Sequence, residues 1–537
     1  MCMSVERTSP MMVVLMALLF ILVACGDTTP TGTEEERVVI GPDVDLGEAI
    51  AAQEPGVIIV LEDATYELPD TLVITADREI RGAGSTVLRT SSLASSARQA
   101  VAAVPERFGQ PVVYAEGISL VLRDLMIEHG GAMSGSVVVL VESEARLNDV
   151  TVRNGTSATF DIDKGHGILA IDTDAVITSS LLEDNDAAGI ATVGGSGRVR
   201  IEQSTLRANG WTGAVVDGTS RLELVDVQSL DNTWEGMIAR GDASLLVEGG
   251  RFASNGNHGI RLWARASAEI EGVVSEGNGV WGLVFQDQSQ AEVRDVTVRD
   301  NEATGVEVAG ESVVLLEGAT LTGNSFAGVA AVEAANLTVR DTVAADNDIG
   351  YFINMGARAT VERGVASQNR LGVFVADDAV ATFTGIVVES NAWVGAHAVD
   401  SGSLTLKDAT FEDNVDHGVY VVGNVQLVIE GGRSLGAEQQ GVIVGGSASG
   451  TIDGVTIESN GVHGILVADE ATTHVVDTVL RDNGIHGIVF IDASAGSVSS
   501  STLGGNGGCG VYRDDPDAVQ LNDNVFGDNA GPDVCPS

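Results

Sequence analysis

The sequence predicts an all-β solenoid, one chain wound into coils of about 23 residues with three short strands in each. Three observations predict it. The first is a phrase repeated from Leu182 to Tyr512, as in LEDNDAAGI, LRANGWTGA, FASNGNHGI, VRDNEATGV, FEDNVDHGV, IESNGVHGI and LRDNGIHGI. Its asparagines are Asn185, Asn209, Asn232, Asn255, Asn278, Asn301, Asn324, Asn347, Asn369, Asn391, Asn414, Asn460, Asn483 and Asn506, at intervals of 22 to 24 except where Ala437 holds the slot. The second is a glycine four residues after each slot, or three at Gly350 and Gly372. The third lies within a unit such as Gly464 to Asn483, where apolar and polar residues alternate in three runs separated by turn residues.

A unit this small cannot bury a core of its own, so neighbouring coils must supply it. Period-two side chains point alternately in and out, and one row from each strand fills the interior against its counterpart in the next coil. Asparagine suits the turn because it tolerates a left-handed backbone and its amide can bond to backbone or to a stacked asparagine. The fifteen slots, fourteen of them Asn, are therefore expected to form a ladder.

The N-x-x-x-G-h-x-h repeat, with h apolar, resembles the right-handed parallel β-helix proteins of the pectin-lyase-like superfamily over roughly residues 38 to 530. The resemblance implies a single-stranded right-handed parallel β-helix. It says little of activity, because that superfamily includes lyases, hydrolases, adhesins and shells without catalysis.

In chain order, the apolar run from Met11 to Ala24 ends in LVAC, which resembles a bacterial lipoprotein signal. The resemblance implies a signal peptide over 1–24 and a lipid on Cys25, and the run is short for a membrane span, which needs about 20 residues. Residues 25–37, rich in Thr, Gly and Glu, read as a flexible tether. An N-terminal cap and first coils follow over 38–90: Asp45, Glu48 and the apolar Leu46, Ala49 and Ile50 predict a short helix covering the open end of the solenoid. Residues 91–181 are irregular early coils, with insertions at Ser91 to Gln110 and from Asn154 through Lys164; 182–512 are regular repeats; 513–537 form a C-terminal cap. Cys509 and Cys535 lie 26 residues apart, one coil plus three, within disulfide reach at a coil spacing of ~4.8 Å.

The formal charge is −47, with 29 Lys plus Arg, of which two are lysine. Nucleic acid is excluded as a partner, because phosphate backbones need basic surfaces. No cofactor is expected: aspartates before the Asn slots would attract calcium, but they are scattered over many coils without a calcium-loop pattern. No metal site is expected in the column His417, Gln440, His463, His486 and Cys509 before the repeat glycines, which Gln440 interrupts.

Residues of an active site are not evident. Gly165-His166-Gly167 resembles one polygalacturonase motif, but His258, His417, His463 and His486 hold the same repeat position and the companion motifs are missing. Hydrolysis of a glycoside requires two carboxyls at a set separation. Arg261 beside Trp263 is the nearest basic candidate for a lyase and reads as surface packing. In the strand after each glycine the first and third residues face inward, so the second faces out, and from Gly350 on it is Phe352, Phe374, His397, Tyr420, Ile443, Leu466, Val489 and Tyr512. This exposed stripe, with Phe352, Phe374, His397, Tyr420 and Tyr512 as its ring contacts, is the expected contact for a polysaccharide or protein partner. The sequence thus reads as an extracytoplasmic β-helix held to a bacterial outer membrane or cell surface, binding or scaffolding; a polysaccharide lyase or glycoside hydrolase is the alternative.

Overall fold

The computed structural model describes residues 35–91, 104–131, 133–157 and 163–536. Cys25 and parts of both early insertions lie outside them. From Arg37 onward the chain is a parallel β-solenoid of about 21 turns, with about 23 residues and three strands per turn. In the coil that starts at Gly464 the strands are Ile465–Val467, Thr472–Val476 and Val479–Arg481. Each pairs in parallel with its equivalent one coil on, Ile465 with Ile488, Thr472 with Ala495 and Val479 with Thr502. Three stacks result. The strands after the glycines form a stack of 20, and in the earliest coils the other two stacks merge through long strands such as Arg78–Thr90 and Glu144–Arg153.

Alternation fixes what lies inside. Val, Ile, Leu and Ala columns are almost fully buried, joined by Phe252, Phe285, Phe383 and Phe490. Tyr351 is buried with them and satisfies its hydroxyl by donating to the Thr342 carbonyl at 2.9 Å. The open N-terminal end is covered by the helix Leu46–Ala51, capped by the Asp45 carboxylate accepting from Glu48 N–H, with Leu46 and Ile50 buried. At the other end Cys509 and Cys535 form a disulfide, their α-carbons 6.1 Å apart.

The asparagine turn corrects one expectation. The left-handed residue is the one before the asparagine: Asp184, Asp231, Asp300, Asp346, Asp413, Asp482 and Asp528 all have φ between 52° and 57°. A second left-handed column sits between the second and third strands, at Asp149, Asp226, Asp295, Asp341, Asp408, Asp477 and Asp523. Many aspartates are thus turn residues, placed where a short polar side chain tolerates positive φ, and this accounts for part of the acidic charge.

The asparagines are buried and carry hydrogen bonds instead. Each Nδ2 donates to the Oδ1 of the next, 2.9 Å from Asn185 to Asn209 and 2.8 Å from Asn391 to Asn414. The row stops at Ala437, resumes at Asn460 and runs on to Asn529. The repeat glycine is explained by close approach: a Cβ at Gly395 would lie 2.5 Å from the carbonyl oxygen of Gly418 in the next coil and 2.9 Å from Asn414 Nδ2.

Arginines serve between coils. Arg89 pairs with Glu67 and Glu128, Arg153 with Glu128 at 2.6 Å, and Arg207 with Glu183 at 2.7 Å, so one outward column alternates in sign.

Candidate functional site

The outer face of the stack after the glycines carries the densest ring chemistry. Register places Phe352 against Phe374, Phe374 against His397 and His397 against Tyr420, one coil apart each time. The rings form a continuous ladder. Phe326 meets Phe352 edge-on at 5.1 Å, Phe352 stacks on Phe374 at 5.5 Å, Phe374 meets His397 at 5.7 Å, and His397 stacks on Tyr420 at 4.8 Å. Tyr512 lies four coils further on, against His486 at 5.2 Å.

The expectation that this stripe is fully exposed is corrected. His397 is 9% exposed and Val489 4%, while Phe352, Phe374, Tyr420 and Tyr512 are half-buried. The residues before the glycines, Ile349, Leu371 and Val394, turn outward too and pack with the rings, together with Ala327, Ala330 and Trp393. A small separate core therefore lies outside the strand stack here. The cover comes from the corner after the asparagine, which folds its side chains back over the strand.

His397 has no hydrogen-bond partner for either ring nitrogen. Burial, with His417 and Arg370 nearby, holds its pKa down at about 4. Burial also lowers His258, to about 3, and His463, to about 4. An unfolded chain protonates histidine near 6.5, so this contribution to stability is full above pH 6.5 and lost as pH falls toward 4, by roughly 3 kcal/mol for His397. Glu235 and Glu307, raised by burial, act in the opposite sense. We expect His397→Phe to flatten the loss of stability between pH 7 and pH 4.5 in denaturant titrations; an unchanged slope would refute it.

The histidines before the glycines have a shared structural role. Backbone N–H groups one coil on donate to Nδ1 of His166, His258, His417, His463 and His486, at 2.8 to 3.4 Å. His463 and His486 stack at 5.2 Å. Among the described residues no three His, Cys, Asp or Glu side chains come together as a metal site.

Seven coils before the Tyr420 rung, the same face changes character. Trp211 and Trp234 occupy one margin of the stack in successive coils, Trp234 N–H donating to the Trp211 carbonyl at 2.8 Å. Trp263 sits at the other margin, just past the strand Ile260–Leu262. Between them Glu235 is 1% exposed, its Oε1 accepting from Asn257 at 3.2 Å and lying 3.5 Å from Arg261. Arg261 also donates to Gln286 at 3.1 Å and lies over the Trp263 ring at 5.1 Å. The sequence offered the pair Arg261 and Trp263 as mere packing; the signal missed was that four of the five tryptophans fall between residues 211 and 281.

A groove of about 530 Å³ on the second stack, lined by Arg123, Arg146, Arg198 and Arg200, is a weaker candidate. Arg198 and Arg200 are tied to the buried Glu223 at 2.5 and 3.0 Å and Arg123 to Glu79 at 3.1 Å, which leaves it close to neutral.

Together the repeat, the three parallel stacks and the asparagine row define a β-helix. Residues 135–281, 281–433 and 428–533 match the family model of the right-handed β-helix region, more than half of the chain, and the chain belongs to that family. No curated protein matches it. Among solved structures it is similar to the A-module of the mannuronan C-5 epimerase AlgE4 of Azotobacter vinelandii, at 17% identity and a TM-score of 0.43, covering 57% of this chain and 90% of that one. It is also similar to gene product 12 of bacteriophage phi29, at 12% identity and a TM-score of 0.46, covering 91% and 70%. A third is the catalytic unit of a GH87 α-1,3-glucanase from Streptomyces thermodiastaticus, at 14% identity and a TM-score of 0.38, covering 58% and 64%.

Proposed function

We propose that the protein is a binding or scaffold module that holds an extended partner, a glycan strand or a polypeptide, along the outer face of the stack after the glycines. The observation that carries this reading is the ring ladder from Phe326 to Tyr420, whose members stand one coil apart with Phe326 still 37% exposed. Rings at strand spacing let weak contacts of ~1 kcal/mol each add along one ligand. Replacing Phe352, Phe374 and Tyr420 together by Ser is expected to weaken partner binding tenfold or more. Since the rings lie outside the solenoid core, the coils should persist, with a lower midpoint from the lost ring packing. A triple variant that binds normally would reduce the ladder to packing.

The body is proposed to stand at a bacterial membrane, tethered through a lipid on Cys25. Metabolic labelling with a radioactive fatty acid should mark the wild type and leave Cys25→Ser unmarked; equal labelling would sink the anchor.

The alternative, a polysaccharide lyase or glycoside hydrolase, has one observation in its favour: the buried Glu235, held above the usual carboxylate range beside Arg261. The other carboxyl on this face that burial raises, Glu307, lies three coils on. At ~4.8 Å per coil that is about 14 Å, wider than the roughly 5–9.5 Å between paired glycosidase carboxyls. New reducing ends or unsaturated products from a panel of polysaccharides would establish the enzyme.

A further inference from the structure

We propose a second binding site, on the rungs between Trp234 and Gln286, that takes a neutral polysaccharide. It rests on the preceding reading only in placing a ligand on the same face; the residues are different. Trp234 is 53% exposed and Trp263 43% exposed, among the most exposed large apolar side chains described. Their counterparts are occupied: the Trp281 ring stacks on His258 at 4.7 Å, and the Arg240 guanidinium lies over the Trp211 ring at 5.8 Å. Trp263 carries the Arg261 guanidinium over its ring at 5.1 Å but keeps its exposure, so two solvent-facing indoles border the face at opposite margins.

The floor between them is polar and held in place. Asn257, Glu235, Arg261 and Gln286 form a relay with links of 3.2, 3.5 and 3.1 Å. Glu235 is the buried anchor, and its Oε2 has no partner. Asn257, Arg261 and Gln286 are half-buried, so their remaining amide and guanidinium groups reach the surface. Flat apolar rings beside fixed donors and acceptors match a pyranose, which offers one C–H face and a rim of hydroxyls.

Charge selects the class. Arg240 is neutralised by Asp217 at 2.7 Å, and Arg261 is opposed by Glu235, with Glu307 and Glu333 further along the face. On a chain of net charge −47, an acidic polymer meets repulsion and finds no unpaired cation on this floor. A neutral glycan avoids both costs.

The test titrates the full-length protein with dextran, mannan and arabinoxylan as neutral probes and with alginate and polygalacturonate as anionic ones, by calorimetry and tryptophan fluorescence. At least one neutral glycan should bind and shift the fluorescence. Trp234→Ala and Trp263→Ala should each weaken it tenfold or more, and Asn257→Ala several-fold, with unchanged circular dichroism. Tighter binding of the anionic glycans, no glycan binding at all, or neutral binding that survives both tryptophan variants would each overturn the proposal. The Phe352, Phe374 and Tyr420 triple variant separates the two readings. If it alone loses the partner, the tryptophan site falls and the ring ladder stands; if only the tryptophan variants lose it, the reverse holds.

Discussion

Replacing Val373 by Asp should unfold the coils around it, whereas Thr360→Asp, in the second strand of the coil before, should be nearly silent. Val373 is fully buried in the strand Leu371–Val375, between Tyr351 in the coil before and Ala396 in the coil after, both also fully buried. A carboxylate there finds neither water nor a cation, and an uncompensated buried charge costs about 3–5 kcal/mol. Thr360 points outward from the strand Arg358–Glu362 and is exposed. Because a solenoid is coupled chiefly between neighbours, the damage should be local: hydrogen exchange should accelerate at the amides around Tyr351, Val373 and Ala396 and remain slow near Ile201. If Val373→Asp leaves exchange unchanged, or Thr360→Asp proves the damaging variant, the inward and outward phases assigned to these strands are reversed.

Those phases were legible in the sequence because period-two alternation is a local property of the chain, and the repeat prints it many times. The period, the three strands and the inward columns all follow from it, while the helix at Leu46–Ala51 was legible from the Asp45 and Glu48 capping pattern. The outer face was harder to read. Burial of His397 depends on Trp393 and on Leu371 and Val394, residues that fold back from a corner whose path no alternation specifies. The left-handed position was misplaced by one residue because Asn and Asp both favour that conformation, and only the observed backbone shows which of the neighbours Asp300 and Asn301 adopts it. The relay through Glu235 joins residues from three successive coils, at 235, 257 and 261, and 286. Each looks unremarkable within its own repeat, and their proximity appears only when the coils are stacked in register.

The register also sets the size of the second large effect, the loss expected for Asn301→Asp. Asn301 is 1% exposed. Its Oδ1 accepts from Asn278 N–H at 3.0 Å and Nδ2 at 2.9 Å, and its own Nδ2 donates to Asn324 Oδ1 at 2.9 Å. An aspartate keeps the acceptor but turns the donor into a second oxygen facing Asn324 Oδ1 and the Ser275 carbonyl. Two acceptors would then meet without a proton, carrying a buried charge, at a cost of about 3–5 kcal/mol near neutral pH. Asn301→Ala should cost less, about 1–3 kcal/mol. The chain already tolerates Ala437 in this slot, where Ala437 N–H still donates to Asn460 Oδ1 at 3.2 Å and Asn414 Nδ2 to the Val388 carbonyl at 3.0 Å. The two variants should separate by pH. The new carboxyl would have its pKa raised in the folded state, so the folded chain takes up a proton that the unfolded chain, titrating near 3.9, does not. Once protonated it regains a donor toward Asn324. Guanidinium midpoints of Asn301→Asp should therefore rise relative to Asn301→Ala as pH falls from 7 toward 4, an effect opposite in sign to the histidine term common to both. If the aspartate variant instead tracks the alanine variant at every pH, the asparagine side chains contribute shape to the turn and the hydrogen-bonded row contributes little.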